Sequence, residues 1–101
     1  MNEVAQIIYD QLGGGRFSAM TGAKSFIASD NSLSFSLPGS GGFTKNGINR
    51  VSVVLNSMDL YDITFTRVRG AKVTPVEEKT NIYAEDLQMV FKEVTGLNTS
   101  L

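Results

Sequence analysis

Three stretches of alternation dominate the chain. Leu33, Phe35 and Leu37 alternate with Ser32, Ser34 and Ser36. Val51, Val53 and Leu55 repeat the spacing, and Tyr61, Ile63 and Phe65 alternate with Asp62, Thr64 and Thr66. A period of two with one apolar set is the pattern of a strand buried on one side. Pro38 and Gly39 end the first strand. Asn56-Ser57-Met58-Asp59 turns the second, residues 50–56, into the third as a hairpin. The third runs into Arg67-Val68-Arg69, where Gly70 ends or bulges it. Residues 72–76 read as a last short strand, and Pro75 places it at an edge or a strand end.

The two ends of the chain show a helical period instead. Val4, Ile8 and Leu12 recur every four residues, with Ala5 and Ile7 widening the stripe, so residues 2–12 are expected to be helical. Gly13-Gly14-Gly15 reads as the stop of that helix. At the other end, Tyr83, Leu87, Val90, Phe91 and Val94 share one face of a helix over residues 83–95. Thr80 or Asn81 is its candidate cap, and Glu85 and Asp86 suit the positive end of its dipole. Gly96 fits the position after the last turn, with Leu97 folding back on Phe91. Between the first helix and the first clear alternation the pattern is weak. Residues 16–21 are expected to form a short strand, and residues 22–27 fit no period although Phe26 and Ile27 ask for burial.

The order is helix, three to five strands, helix, in one domain over residues 1–101. It predicts an α+β fold in two layers: an antiparallel sheet with an N-terminal and a C-terminal helix packed on one face. The opposite face would carry Ser34, Ser36, Ser52, Asn56, Thr64 and Thr66 and meet solvent. Residues 38–47 form a loop holding four of the ten glycines, with a turn signal at Asn46-Gly47. No internal repeat is evident.

Composition removes chemistry rather than proposing it. The 101 residues are 42% apolar and 19% charged, ordinary for a globular domain. There is no cysteine and no histidine. Disulfides, thiolate and imidazole metal sites and Ser-His or Cys-His catalysis are therefore excluded. Thr21-Gly22-Ala23-Lys24-Ser25 approaches a phosphate loop but fails it, because Ala23 separates the glycine from the lysine. The carboxylate pairs Asp59/Asp62, Glu77/Glu78 and Glu85/Asp86 suit a turn, two faces of a strand and a helix start. No catalytic residue, metal site or cofactor is expected. No apolar run nears the roughly 20 residues of a membrane helix, and no leader is seen, so the cytoplasm is the expected compartment.

Charge is unevenly spread. Residues 16–72 carry seven cations against three carboxylates, while residues 1–15 are −2 and residues 73–101 are −3. A basic sheet is one way to meet a phosphate backbone. The candidate contacts are Arg16, Lys24, Lys45, Arg50, Arg67, Arg69 and Lys72. Phe43 joins them as an aromatic set in the glycine loop, suited to stacking a base or anchoring a partner. A net charge of −1 argues against strong nonspecific binding.

Gln11-Leu12-Gly13-Gly14-Gly15-Arg16-Phe17 with Met20-Thr21-Gly22-Ala23-Lys24, Leu55-Asn56-Ser57-Met58-Asp59-Leu60-Tyr61-Asp62 with Arg67-Val68-Arg69-Gly70, and Tyr83-Ala84-Glu85-Asp86-Leu87-Gln88 with Thr95-Gly96-Leu97 together resemble small proteins of bacteriophages, prophages and mobile elements. The resemblance covers nearly the whole chain and carries no catalytic residues. It implies a phage accessory product made in a bacterial cytoplasm. The expected function is non-enzymatic binding to nucleic acid or to a host nucleoprotein such as a defence complex. The alternative is an assembly module working as a homo-oligomer, through the strand edge at residues 72–76 or the hydroxyl face.

Overall fold

The structure is a computed structural model that describes residues 2–38 and 44–97. Helix α1 spans Glu3–Leu12 and α2 spans Gly14–Thr21. Five strands follow: β1 (Lys24–Ser29), β2 (Ser32–Ser36), β3 (Arg50–Leu55), β4 (Tyr61–Arg69) and β5 (Lys72–Ile82). Helix α3 (Leu87–Thr95) closes the chain. The strands form one antiparallel meander in the order β1-β2-β3-β4-β5. The expected α+β, two-layer architecture is therefore present, with helices on one face.

The alternation places the core. Phe35, Val51 and Phe65 share one row across β2, β3 and β4, and Leu33, Val53 and Ile63 share the next. All six are at most 1% exposed and belong to one cluster with Ile8, Leu12, Phe17, Leu87 and Phe91 of the helices. Phe17 sits edge-on to both Phe35 and Phe91, with ring centroids 5.3 and 5.2 Å apart. Edge-to-face pairs add about 0.5–1.5 kcal/mol each beyond area burial, so Phe17 ties both helices to the sheet. The N-terminal helix is capped by Asn2, whose Oδ1 accepts from Ala5 N at 2.8 Å and whose amide donates to the Ser29 carbonyl.

Four local expectations are corrected. The first helix ends at Leu12 with Gly13 as its cap, as expected, but the chain re-enters helix at once at Gly14. Residues 16–21 are then helical, not a strand, because Phe17 and Thr21 lie four apart and both bury. Residues 24–29 form β1, whose alternation is hidden by an irregularity between Lys24 and Ile27 that contains Ser25 at φ 57°. Ile27 is 53% exposed rather than buried. The last strand runs to Ile82, well past Val76. An extra residue shifts its register twice, between Tyr61↔Ile82 and Ile63↔Lys79 and between Phe65↔Glu77 and Thr66↔Pro75, so its sequence shows no alternation. The C-terminal helix accordingly begins at Leu87 after a 3₁₀ turn at Ala84–Asp86. Thr80 and Asn81 lie in β5 rather than capping the helix, and Tyr83 is 59% exposed.

The two helices that end near the sheet do so in the same way. Thr21 Oγ1 donates to the Phe17 carbonyl at 2.7 Å and accepts from Ala23 N at 3.2 Å. Thr95 Oγ1 donates to the Phe91 carbonyl at 2.8 Å and accepts from Leu97 N at 3.2 Å. Both threonines are fully buried, and Gly22 and Gly96 follow at φ 74° and 81°. The shared Phe-x-x-x-Thr-Gly-apolar spacing stops each helix and turns the chain, and it is a short correspondence not evident by eye. The contact between Leu97 and the core is present, but its amide is held by Thr95 rather than by a main-chain carbonyl.

Candidate functional site

A meander sorts its connections between two ends. The β1–β2 and β3–β4 turns and the exit of β5 lie at one end. The start of β1, the β2–β3 connection and the β4–β5 turn lie at the other. The second end gathers Lys24, Lys45, Arg50, Arg67, Arg69 and Lys72, six of the seven candidate cations. The described segments that build it, residues 22–26, 36–38, 44–50 and 66–74, contain no Asp or Glu. The first end holds Asp30, Asp59, Asp62, Glu85 and Asp86, and its segments 29–32, 56–62 and 80–86 contain no Lys or Arg. The chain is therefore polar in charge along the strand direction, although it sums to −1.

Within the basic end the six cations are not equivalent. Alternation from Phe65 puts Arg67 and Arg69 on the helix-side face of β4. Their partners across the ladder are Thr74 and Lys72. These four line a shallow concavity of about 260 Å³. The Arg67 stem lies over Gly47, close enough that a Cβ there would stand 3.0 Å from its Cδ. Gly70 and Ala71 join the strands. Gly70 takes φ 60°, which a tight hairpin turn demands of its first central residue. Among the described residues the ion pair is Glu77–Lys79 at 3.5 Å, so no carboxylate neutralises the four-residue cluster.

Arg50 faces the other way. It sits in the row Lys24↔Ser36↔Arg50↔Thr66 on the open face. Its guanidinium donates to Ser36 Oγ and Ser34 Oγ, both at 3.3 Å, which lays it across the serine face. Ser34, Ser52 and Thr64 form the next row of that hydroxyl face. Lys45 lies in a 3₁₀ turn at Lys45–Gly47, and its Nζ donates to the Glu93 carbonyl at 3.0 Å. It lines a second concavity of about 500 Å³ with Met89, Lys92, Glu93 and Gly96. Arg16 is exposed in the first half of α2 and belongs to neither group. Phe43 lies outside the described residues.

Two residues of the site were not singled out from the sequence. Thr74 completes the concavity; counting back from a two-residue turn at Gly70-Ala71 would have paired it with Arg67. Asn49 precedes β3 and extends it. Its backbone N donates to the Thr66 carbonyl at 3.0 Å and its carbonyl accepts from Leu37 N at 2.8 Å. Its side chain then acts as one more strand residue: Nδ2 donates to the Val68 carbonyl and Oδ1 accepts from Val68 N, both at 2.8 Å. No sequence pattern announces that use of an asparagine.

At the acidic end, Asn56 organises the turn. Its Oδ1 accepts from Met58 N and Leu60 N, and its Nδ2 donates to Asp62 and Asn81. Asp62 also accepts from Asn81 N. The Asp62 carboxylate is held by hydrogen bonds of the turn, and among the described residues no group of three or more acidic side chains gathers as a metal would need. Among the same residues no helix is long and apolar enough to cross a membrane. No family model matches the chain, and neither a curated protein nor a solved structure matches it.

Proposed function

We propose that this chain is a non-enzymatic binding protein that engages nucleic acid, free or within a host nucleoprotein such as a defence complex, through the basic end of its sheet. The observation that carries the reading is the cluster of Arg67, Arg69 and Lys72 with Thr74 around one concavity, in segments without a carboxylate. Guanidinium groups match phosphate oxygens in geometry as well as charge, and a threonine hydroxyl adds a neutral donor. The resemblance to phage and prophage products supplies the setting, a bacterial cytoplasm.

Phosphate contacts release counterions, at a slope of about −0.9 in log K against log salt for each one. Three cations seated on phosphates therefore give a slope near −3. The test is fluorescence anisotropy on a labelled mixed-sequence oligonucleotide over a salt series. Reversal of both arginines (R67E with R69E) is expected to abolish binding and flatten the slope. Equal binding by the reversed variant overturns the reading.

The second reading is assembly with further copies of the chain. The β5 edge is blunted by Pro75, a bulge and the charges of Glu77, Glu78 and Lys79, features that discourage strand pairing. The β1 edge is the better candidate, since its Ile27 is 53% exposed. Sedimentation as a monomer at high micromolar concentration removes this alternative.

A further inference from the structure

The β4–β5 hairpin outruns the rest of the sheet. The last row that crosses the whole sheet here is Lys24↔Ser36↔Arg50↔Thr66↔Pro75. Beyond it, the pairs Arg67↔Thr74, Val68↔Val73 and Arg69↔Lys72 have no third strand, and Asn49 alone reaches over to brace Val68. The Arg67 stem still lies over Gly47, so what projects is a two-stranded ribbon of two residue pairs, Val68↔Val73 and Arg69↔Lys72, with its two-residue turn. At about 3.4 Å per residue the two pairs and the turn extend roughly 10 Å. One face carries Arg67, Arg69, Lys72 and Thr74; the other carries Val68 and Val73, the latter 61% exposed.

Resting on the nucleic-acid reading above, we infer that this ribbon seats in the major groove of B-form duplex DNA, with Arg67, Arg69 and Lys72 on the flanking phosphates. That groove is about 12 Å wide and about 8.5 Å deep and admits a two-stranded ribbon. The projecting length matches the depth. The major groove of an A-form duplex is too narrow for side chains to read, so double-stranded RNA offers the ribbon no seat. The acidic end adds orientation, since it turns away from the polyanion as the ribbon turns toward it.

The experiment compares one sequence as duplex DNA, single-stranded DNA and duplex RNA, at equal length and low salt, by anisotropy. A second readout is the amide chemical shifts of the protein on adding the DNA duplex. The expected result is at least tenfold tighter binding to duplex DNA, with shifts concentrated over residues 67–74. K72E, at the exposed tip, should lower the salt slope by about 1. Single-stranded DNA or duplex RNA bound as tightly as duplex DNA overturns the inference and leaves the nucleic-acid reading standing. Shifts centred on Ser34, Ser52 and Thr64 of the open face do the same. Failure to bind any of the three overturns the nucleic-acid reading itself.

Discussion

Replacing Asn49 by Ala tests how the projecting hairpin is held. In an antiparallel pair closed by a two-residue turn, Arg69 and Lys72 exchange hydrogen bonds, and so do Arg67 and Thr74. The pair between them does not. The N–H and C=O of Val68 therefore point away from β5, toward the side where β3 has ended. Asn49 takes both, at 2.8 Å each. A neutral hydrogen bond contributes about 0.5–1.5 kcal/mol net. Loss of two gives about 1–3 kcal/mol, at the lower end because both residues are half-buried and water can reach the freed groups. In a domain of this size that is a fall in Tm of roughly 4–8 °C per kcal/mol. Hydrogen exchange is the sharper assay. Backbone amides elsewhere in the sheet should speed up only by the global factor, tenfold per 1.4 kcal/mol. The Val68 amide should speed up further, because its acceptor is gone even in the folded chain. Asn49→Asp separates the halves: it keeps the acceptor for Val68 N and sets a carboxylate against the Val68 carbonyl. If Val68 in the Ala variant keeps its protection relative to Arg67 and Arg69, the brace is not what orders the hairpin.

Two further substitutions probe the scaffold. Thr95→Val removes a buried hydroxyl that bonds both the Phe91 carbonyl and Leu97 N, leaving an amide in the core without an acceptor; the expected loss is about 1–3 kcal/mol in denaturant unfolding, with Thr95→Ser recovering most of it. A serine variant no more stable than the valine variant would assign the effect to packing instead. Burial of Tyr61, 4% exposed, pushes its phenol above the ordinary value of 10.0. The fold thus favours the neutral phenol: its contribution is fully present below the unfolded pKa and is lost as pH rises through the higher folded one. Stability should therefore decline above about pH 10, and Tyr61→Phe should flatten that decline; an unchanged alkaline limb in the variant refutes the assignment.

The three central strands are legible because each buries one face, so Leu33/Phe35, Val51/Val53 and Ile63/Phe65 must alternate. Elsewhere the pattern fails for stated reasons. β1 is an edge strand broken by Ser25 in the left-handed region, and β5 is an edge strand with two inserted residues. Neither has a continuous buried face to impose a period. The second helix hides behind Gly13-Gly14-Gly15, which reads as a stop and acts as a corner between two helices. For the site, charge counting finds a basic stretch but treats its members alike. Only the strand register shows that Arg50 and Arg67 face opposite sides of the sheet, that Arg16 stands apart, and that Arg67, Arg69 and Lys72 meet.

The low net charge, which argued against phosphate binding, loses its force once the charges are placed. Asp62 and Arg69 are both on β4, seven residues apart. At about 3.3 Å per residue they are separated by roughly 23 Å. The Debye length at physiological salt is about 8 Å, so a phosphate at the hairpin is nearly three screening lengths from the acidic end. Repulsion from Asp59 and Asp62 is largely screened there, whereas attraction to Arg67, Arg69 and Lys72 acts at contact. The quantity a ligand senses is therefore the local excess of six cations, two of them already engaged by Ser34, Ser36 and the Glu93 carbonyl. As salt is lowered the acidic end comes back into play, and its effect is to orient. A rod of negative charge torques the chain until the hairpin leads. The sequence property that makes this possible is the meander itself. Alternate turns of the chain fall at opposite ends, so assigning aspartates to the β1–β2 and β3–β4 turns, and arginines and lysines to the other connections, separates charge without any change in its sum.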